Sequence, residues 1–329
     1  MIHRLRVAFF IILSIVPSLL FSQRGKFYST TDNALSSSLI NYIYQDSDGY
    51  IWIATEYGLN KFDGNRFIKY KHDENSVTSL KNSYVRSIFQ DRDGKLYVGC
   101  VDGLMLYDKA SDSFTEIKME SNGKIVSPHI FTLCQLKNGD ILIATAGYGI
   151  FRLKYGNDSA SRDIELSKRV PDQYISTLLL SSDGTLWIGT ENKGVVSYSF
   201  STKKSNHYSY PNLTSDNITS IIEDNNENII VGTLNNGINI FNRKSNSFTT
   251  VKDKSSNNIS VKHLARIGYD IVIGTDGQGL KRYRDNSISD YILNGVPFDF
   301  SNAKIHYILS DKENNLWLGI FQKGVVMIP

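Results

Sequence analysis

SSDGTLWIGTENKG, residues 181–194, is written seven times in this chain with small changes. Its central pentapeptide recurs as IWIAT (51–55), LYVGC (96–100), ILIAT (141–145), LWIGT (186–190), IIVGT (229–233), IVIGT (271–275) and LWLGI (316–320). The aligned small residues are Ala54, Gly99, Ala144, Gly189, Gly232, Gly274 and Gly319, at spacings of 45, 45, 45, 43, 42 and 45 residues. A second glycine follows each pentapeptide (Gly58, Gly103, Gly149, Gly194, Gly237, Gly279 and Gly324), and an aliphatic residue comes after it. A fixed period of this length is the mark of a repeat architecture.

Each copy parses into four short strands. The first ends in phrases such as NYIYQD (41–46) and RSIFQD (86–91), and the pentapeptide is the second. Between them lie Asp48-Gly49, Asp93-Gly94, Asn138-Gly139 and Asp183-Gly184, pairs suited to hairpin turns. Third strands such as GLNKFD (58–63) and GINIFN (237–242) follow. Fourth strands such as RFIKYK (66–71) and SFTTVK (248–253) complete the unit.

Four antiparallel strands in each of seven copies predict an all-β chain folded as a seven-bladed β-propeller. The large residue two places before the small one (Trp52, Tyr97, Leu142, Trp187, Ile230, Val272, Trp317) is expected to fill the space between blades. The small residue is expected to admit the next blade closely. The last copy stops after its third strand, GVVMIP (324–329), and KFYSTT (26–31) resembles a fourth strand. The N-terminal strand is therefore expected to pair there and close the ring, so that 23–329 form one domain.

The chain has 329 residues, 41% of them hydrophobic, with a formal net charge of +3. That core is ample, and that charge gives no reason to invoke nucleic acid or an anionic membrane surface. His3, Arg4 and Arg6 precede an apolar run from Val7 to Phe21. The run is too short for a span of about 20 residues and suits a signal peptide cleaved near Ser22. Residues 1–22 are read as that leader. The mature chain then carries no membrane span and lies in the periplasm or outside the cell. Cys100 and Cys134 occupy strand positions and read as small core residues. No Cys/His cluster has metal spacing, and no cofactor motif is present.

The loops contain no G-x-S-x-G elbow, P-loop or H-E-x-x-H. Asp48, Asp93 and Asp183 read as turn formers. In a propeller the second-to-third and fourth-to-first connections share one face, where the central channel opens. The first group offers Tyr57, Tyr148, Glu191, Lys193, Asn236, Asp276 and Gln278 as ligand-binding candidates, and the second offers Tyr84, His129 and Tyr174. One row in the first strands adds to them. An aliphatic residue recurs there (Ile40, Val85, Ile130, Ile175, Ile218, Val261, Ile305), and the next residue varies: Asn41, Arg86, Phe131, Ser176, Thr219, Lys262, His306. Arg86, Lys262 and His306 join the candidates. Aromatic, amide and charged groups mixed at a channel mouth suit a sugar or another polar ligand.

The phrase D-x-x-G-x-[IL]-W-[IL]-G-T-x-x-x-G-[LIV], carried by QDSDGYIWIATEYGLNKFDG (45–64) and SSDGTLWIGTENKGV (181–195), resembles the two-component regulator propeller repeat. The resemblance extends over residues 26–329 and weakens around Gly232 and Gly274. It implies the extracytoplasmic sensor region of a hybrid two-component system of Bacteroidota, with oligosaccharides as ligands. It also implies a second propeller or a sensor-kinase ectodomain as partner, and attachment to a membrane only within a longer sensor. No kinase, receiver or DNA-reading segment lies in this sequence, so any kinase activity resides elsewhere. Similar repeats occur in seven-bladed lyases. A stand-alone secreted lyase or hydrolase with its site at the channel mouth is the alternative.

Overall fold

The computed structural model describes residues 25–251, 258–293, 296 and 298–329. The expected leader, residues 1–22, lies outside them. The described residues form 29 strands and one four-residue helix, Ile164–Ser167. The fold is all-β. Among these residues no helix is long and apolar enough to cross a membrane.

The seven copies appear as seven antiparallel units, numbered here in chain order. Units 1, 4, 5 and 6 are separate four-stranded sheets in sequence order. Unit 7 contributes Ile305–Ser310, Leu316–Ile320 and Gly324–Ile328, and its fourth strand is Lys26–Tyr28. The register runs Lys26 to Met327, Phe27 to Val326 and Tyr28 to Val325. The pairing read from KFYSTT thus occurs over three residues. Units 2 and 3 depart from the repeat. Their fourth strands, Ser113–Ser121 and Ser159–Arg162, pair in parallel, with Lys124–Val126 as an extra strand, so the two units share one nine-stranded sheet.

The core is divided into seven apolar layers, each shared by two successive units. One joins unit 7 (Tyr307, Trp317, Val325) to unit 1 (Ile40, Ile53, Phe62). The second-strand pentapeptides, buried along their whole length, form the centres of these layers. Each tryptophan sits where the repeat placed it. Trp52, Trp187 and Trp317 meet the third-strand aromatic of the next unit edge to face: Tyr107 at 4.9 Å, Phe241 at 4.8 Å and Phe62 at 5.7 Å. The small residue admits the next unit's first strand. A Cβ on Gly189 would lie 2.7 Å from Ile218 Cγ2, and one on Gly319 would lie 3.0 Å from Ile40 Cγ2.

The first-to-second turns correct the sequence reading. The carboxylate that organises the turn is two residues earlier than expected. Asp46 Oδ1 accepts the N–H groups of Asp48 (3.0 Å) and Tyr50 (2.9 Å), and Asp46 Oδ2 accepts the Trp52 indole N–H at 2.7 Å. Asp311 treats Glu313, Asn315 and Trp317 in the same way. Asp48 instead pairs with Lys109, and only Asp183 of the expected three binds a turn N–H, that of Thr185. Unit 4 has Ser181 where units 1 and 7 have aspartate, and the buried Trp187 Nε1 has no partner among the described residues. An unpaired buried donor costs about 1–3 kcal/mol. Ser181→Asp should recover part of this, about 1 kcal/mol, and raise the thermal midpoint. An unchanged or lower midpoint would refute the assignment.

Side-chain clasps cross the seams on this turn face. Gln90 Oε1 accepts Ser47 N (2.7 Å), Gln135 Oε1 accepts Arg92 N (3.0 Å), and Glu223 Oε2 accepts Ser182 N (2.8 Å). Gln45 Oε1 accepts Lys312 N (2.6 Å), which fastens unit 7 to unit 1.

Candidate functional site

The opposite face carries the second-to-third and fourth-to-first connections. One backbone bond builds it in every unit. The N–H after the second strand donates to the carbonyl before the first strand: Glu56 to Leu39, Val101 to Tyr84, Ala146 to His129, Glu191 to Tyr174, Leu234 to Asn217, Asp276 to Ser260 and Phe321 to Lys304. These bonds span only 2.9–3.2 Å. Beside each lies a β-bulge at the variable residue of the first strand: Asn41, Arg86, Phe131, Ser176, Thr219, Lys262 and His306. The extra residue of a bulge is unpaired in the ladder, and bulges commonly re-aim a side chain. All seven are half-buried. A scaffold that repeats in its backbone thus carries side chains that do not repeat.

The structure gathers some candidates and separates others. Tyr84, Arg86 and His129 come together. The Tyr84 hydroxyl donates to Glu56 Oε1 at 3.1 Å, and the Arg86 guanidinium lies 5.0 Å from the centre of the Phe131 ring. The His129 ring stacks on Phe131 at 4.8 Å. Burial, reinforced by Arg86, pushes the His129 pKa down to about 4, so its imidazole is neutral near pH 7. Burial also raises the Tyr84 hydroxyl.

Lys262, Asp276 and His306 form a second group with Lys304 and Phe321. Asp276 receives Lys262 Nζ at 3.2 Å and Lys304 Nζ at 3.3 Å, and lies 3.9 Å from His306 Nε2. The His306 and Phe321 rings are 4.8 Å apart. Burial, helped by Lys262, pushes His306 down to about 4. Burial pushes the Asp276 carboxyl up, but the two lysines outweigh it and hold the group below the usual carboxylate range.

The remaining candidates stand apart from both groups. Tyr57 is exposed, under Lys71 Nζ at 4.3 Å, and the Lys193 carbonyl accepts His207 Nε2–H at 2.5 Å. Both contacts reach toward fourth strands, away from the bulges. Tyr148 and Tyr174 are exposed, Glu191 and Asn236 are half-buried, and Gln278 Nε2 donates to the Asn258 carbonyl at 3.2 Å. Lys304 is the charged side chain of the second group that was not among the candidates, although it precedes its first strand as Tyr84 and His129 precede theirs.

Below the bulges, His263, Tyr307 and Tyr42 make a continuous stack, with centroids 4.0 and 4.5 Å apart. Units 2 to 5 carry Ser87, Thr132, Thr177 and Ser220 at the equivalent positions. A polar cavity of about 1060 Å³ lies elsewhere, on the turn face between units 5 and 6, beside Asp224, Asn226 and Asp285.

The family described as two component regulator propeller matches residues 34–57, 79–102 and 169–192. No curated protein matches the chain. Among solved structures, the extracellular domains of two putative hybrid two component systems from B. thetaiotaomicron share the fold. One is 24% identical with a TM-score of 0.78, covering 91% of this chain and 41% of its own. The other is 17% identical with a TM-score of 0.79, covering 93% and 43%. The chain therefore spans about two fifths of those ectodomains. Virginiamycin B lyase from Staphylococcus aureus is similar at 16% identity and a TM-score of 0.68, covering 88% of this chain and 94% of its own. Three of the seven copies thus match the two-component regulator propeller model, and the solved structures show the fold that the whole chain shares with those ectodomains.

Proposed function

We propose that residues 23–329 form a closed seven-bladed propeller that serves as an extracytoplasmic ligand-sensing module of a two-component system. It recognises a glycan-derived ligand or a partner propeller on the loop face and does no chemistry itself. The seven shared apolar layers, the Lys26–Tyr28 pairing and the Gln45–Lys312 clasp support closure. The apolar leader at residues 1–22 and the extracellular neighbours support a place outside the cytoplasm. One observation carries the functional reading. The backbone of the loop face repeats in all seven units while its bulge residues do not. A repeated backbone that carries differing side chains on one face suits recognition of an external molecule.

The test is hydrogen exchange on the mature chain with a panel of oligosaccharides and with a purified partner propeller. Protection of residues 84–86, 129–131 or 304–306 is the expected result. Protection confined to the turn face would overturn the assignment.

The lyase structure, covered over nearly its whole length, favours a second reading as a secreted lyase or hydrolase. That reading predicts turnover that is abolished by substitution of Arg86, Glu191 or His306. An absence of turnover with the bound ligand rejects it.

A further inference from the structure

Three seams between units are closed by an indole. Trp52, Trp187 and Trp317 each stack on a tyrosine of their own unit's fourth strand, Tyr70, Tyr208 and Tyr28, at 5.9, 6.2 and 6.0 Å. Unit 2 has Tyr97 in the place of the tryptophan, and its hydroxyl reaches the turn carboxylate, Asp91 Oδ2, at 3.3 Å. Unit 5 keeps the turn aspartate, Asp224, but has Ile230 where the ring belongs. Unit 7 shows what is missing. Asp311 Oδ2 receives both the Asn315 amide at 2.9 Å and the Trp317 indole N–H at 2.8 Å. Asp224 Oδ2 receives the equivalent amide, that of Asn228, at 2.9 Å, and no ring donor among the described residues.

The cavity of about 1060 Å³ between units 5 and 6 occupies the place of that ring. In unit 1 the Trp52 ring is met by Asp46, Lys61, Tyr70 and Tyr107. The turn bond and the strand register make Asp224, Ile240, Val251 and Tyr283 their counterparts, and all four line the cavity. The corresponding cavity between units 1 and 2 measures only about 40 Å³. The walls between units 5 and 6 are also acidic. Asp224 and Asp285 line the cavity without an ion-pair partner among the described residues, and Arg284 is held by Asp270. Burial pushes the Tyr283 hydroxyl up to about 12, and Asp224 and Asp285 add to the rise, so both carboxylates bear on one ring.

We propose that this seam binds an indole-like ammonium compound, whose ring takes the place that the repeat's own tryptophan takes elsewhere. The ring N–H donates to Asp224 Oδ2, as Trp317 donates to Asp311, and a hydrogen bond to a carboxylate is among the stronger kinds. The ring lies against Ile240, Val251 and Tyr283, as Trp52 lies against their counterparts. The ammonium group answers the two unpaired carboxylates and is attracted to an aromatic face. The cavity is of the size that small-molecule sites have, and Asn242, Thr249 and Asn286 line the part beyond the ring. This site is on the face opposite the bulges and does not depend on the loop-face reading.

The mature chain should be titrated calorimetrically with tryptamine, 1-methyltryptamine, indole-3-acetamide and indole-3-acetate, with hydrogen exchange to locate binding. Tryptamine is expected to bind and to protect residues 224–228 and 283–286. Methylation of the ring nitrogen should weaken binding about tenfold, the worth of a hydrogen bond to a charged acceptor. The uncharged amide should bind more weakly than tryptamine, and the acetate more weakly still. Asp285→Asn should narrow the gap between amine and amide. Ile230→Trp supplies the repeat's own ring and should abolish tryptamine binding. Its new indole N–H should resonate as a bonded donor, which shows that the variant is folded and the seam filled. The ligand series uses the unaltered chain and so tests the proposal without any variant. Equal binding of tryptamine and 1-methyltryptamine would refute the Asp224 contact, and acetate binding as tightly as tryptamine would refute the ammonium class. No protection of this seam by millimolar tryptamine would overturn the proposal. The loop-face reading would then still stand, because other probes and other residues test it.

Discussion

Gly324→Ala should unfasten the N-terminal strand and lower stability by about 3 kcal/mol. Two costs coincide at this position. Gly324 has φ of +110°, a conformation that L side chains rarely adopt, and an added Cβ would press into the backbone carbonyl of Tyr28. A backbone atom in a paired strand cannot rotate aside as a side chain can. The strand carrying Tyr28 is the one that must give way, and it has only three paired residues to hold it. Gly49→Ala is the control. Gly49 has φ of +92° but nothing within 4 Å of an added Cβ, so only the backbone term of about 1 kcal/mol remains. The measurement is denaturant unfolding with exchange at residues 26–28. Equal effects at the two glycines would mean that crowding against Tyr28 does not matter.

Asp311→Ala should cost about as much, near 3 kcal/mol, because it strips an acceptor from a buried donor. Trp317 is 2% exposed, and its indole N–H reaches Asp311 Oδ2 at 2.8 Å. The same carboxylate accepts Glu313 N at 3.1 Å and Asn315 N at 2.7 Å, so the turn loses its organiser too. The chain has three tryptophans, which makes the indole N–H resonances a direct readout. Trp52 and Trp317 should resonate as bonded donors and Trp187 apart from them. Asp311→Ala should move one bonded signal toward the position of Trp187. If the stability falls by less than about 1 kcal/mol, the usual net worth of one hydrogen bond, the carboxylate–indole contact is not what holds the turn.

The strand order of each unit was legible because a pattern repeated seven times averages out the ambiguity of any single short strand. The second glycine of each copy was visible as a letter, but its cause was not. Only the structure shows the end of the fourth strand lying against Gly324. The carboxylate–indole bonds were hidden because Asp46 and Asp48 are chemically alike and adjacent in the phrase, and the turn geometry alone selects the earlier one. The parallel junction of units 2 and 3 was unreadable for a different reason. It depends on the long strand Ser113–Ser121, which has no counterpart in the other copies. On the loop face the repeat located the row of bulges. It could not show which members meet, because His129 and His306 occupy different places in their copies. Lys304 stands in register with Tyr84, His129 and Tyr174 immediately before its first strand, but no recurring residue type marks that place.

The pairing of Lys26–Tyr28 with Gly324–Ile328 also sets an order of events during synthesis. Lys26–Tyr28, the first strand among the described residues, finds its partner only when Gly324–Ile328 has been translated. Units 1 to 6 can each pack on a neighbour as they emerge, since their contacts are local and such contacts form quickly. Phe27 and Tyr28 must wait, with no sheet to join, until Trp317 arrives for Tyr28 to stack on at 6.0 Å. Until unit 7 is made, the units are an open string with one unsatisfied strand ahead of unit 1, and a ribosome stalled before that point leaves the strand free for another chain to capture.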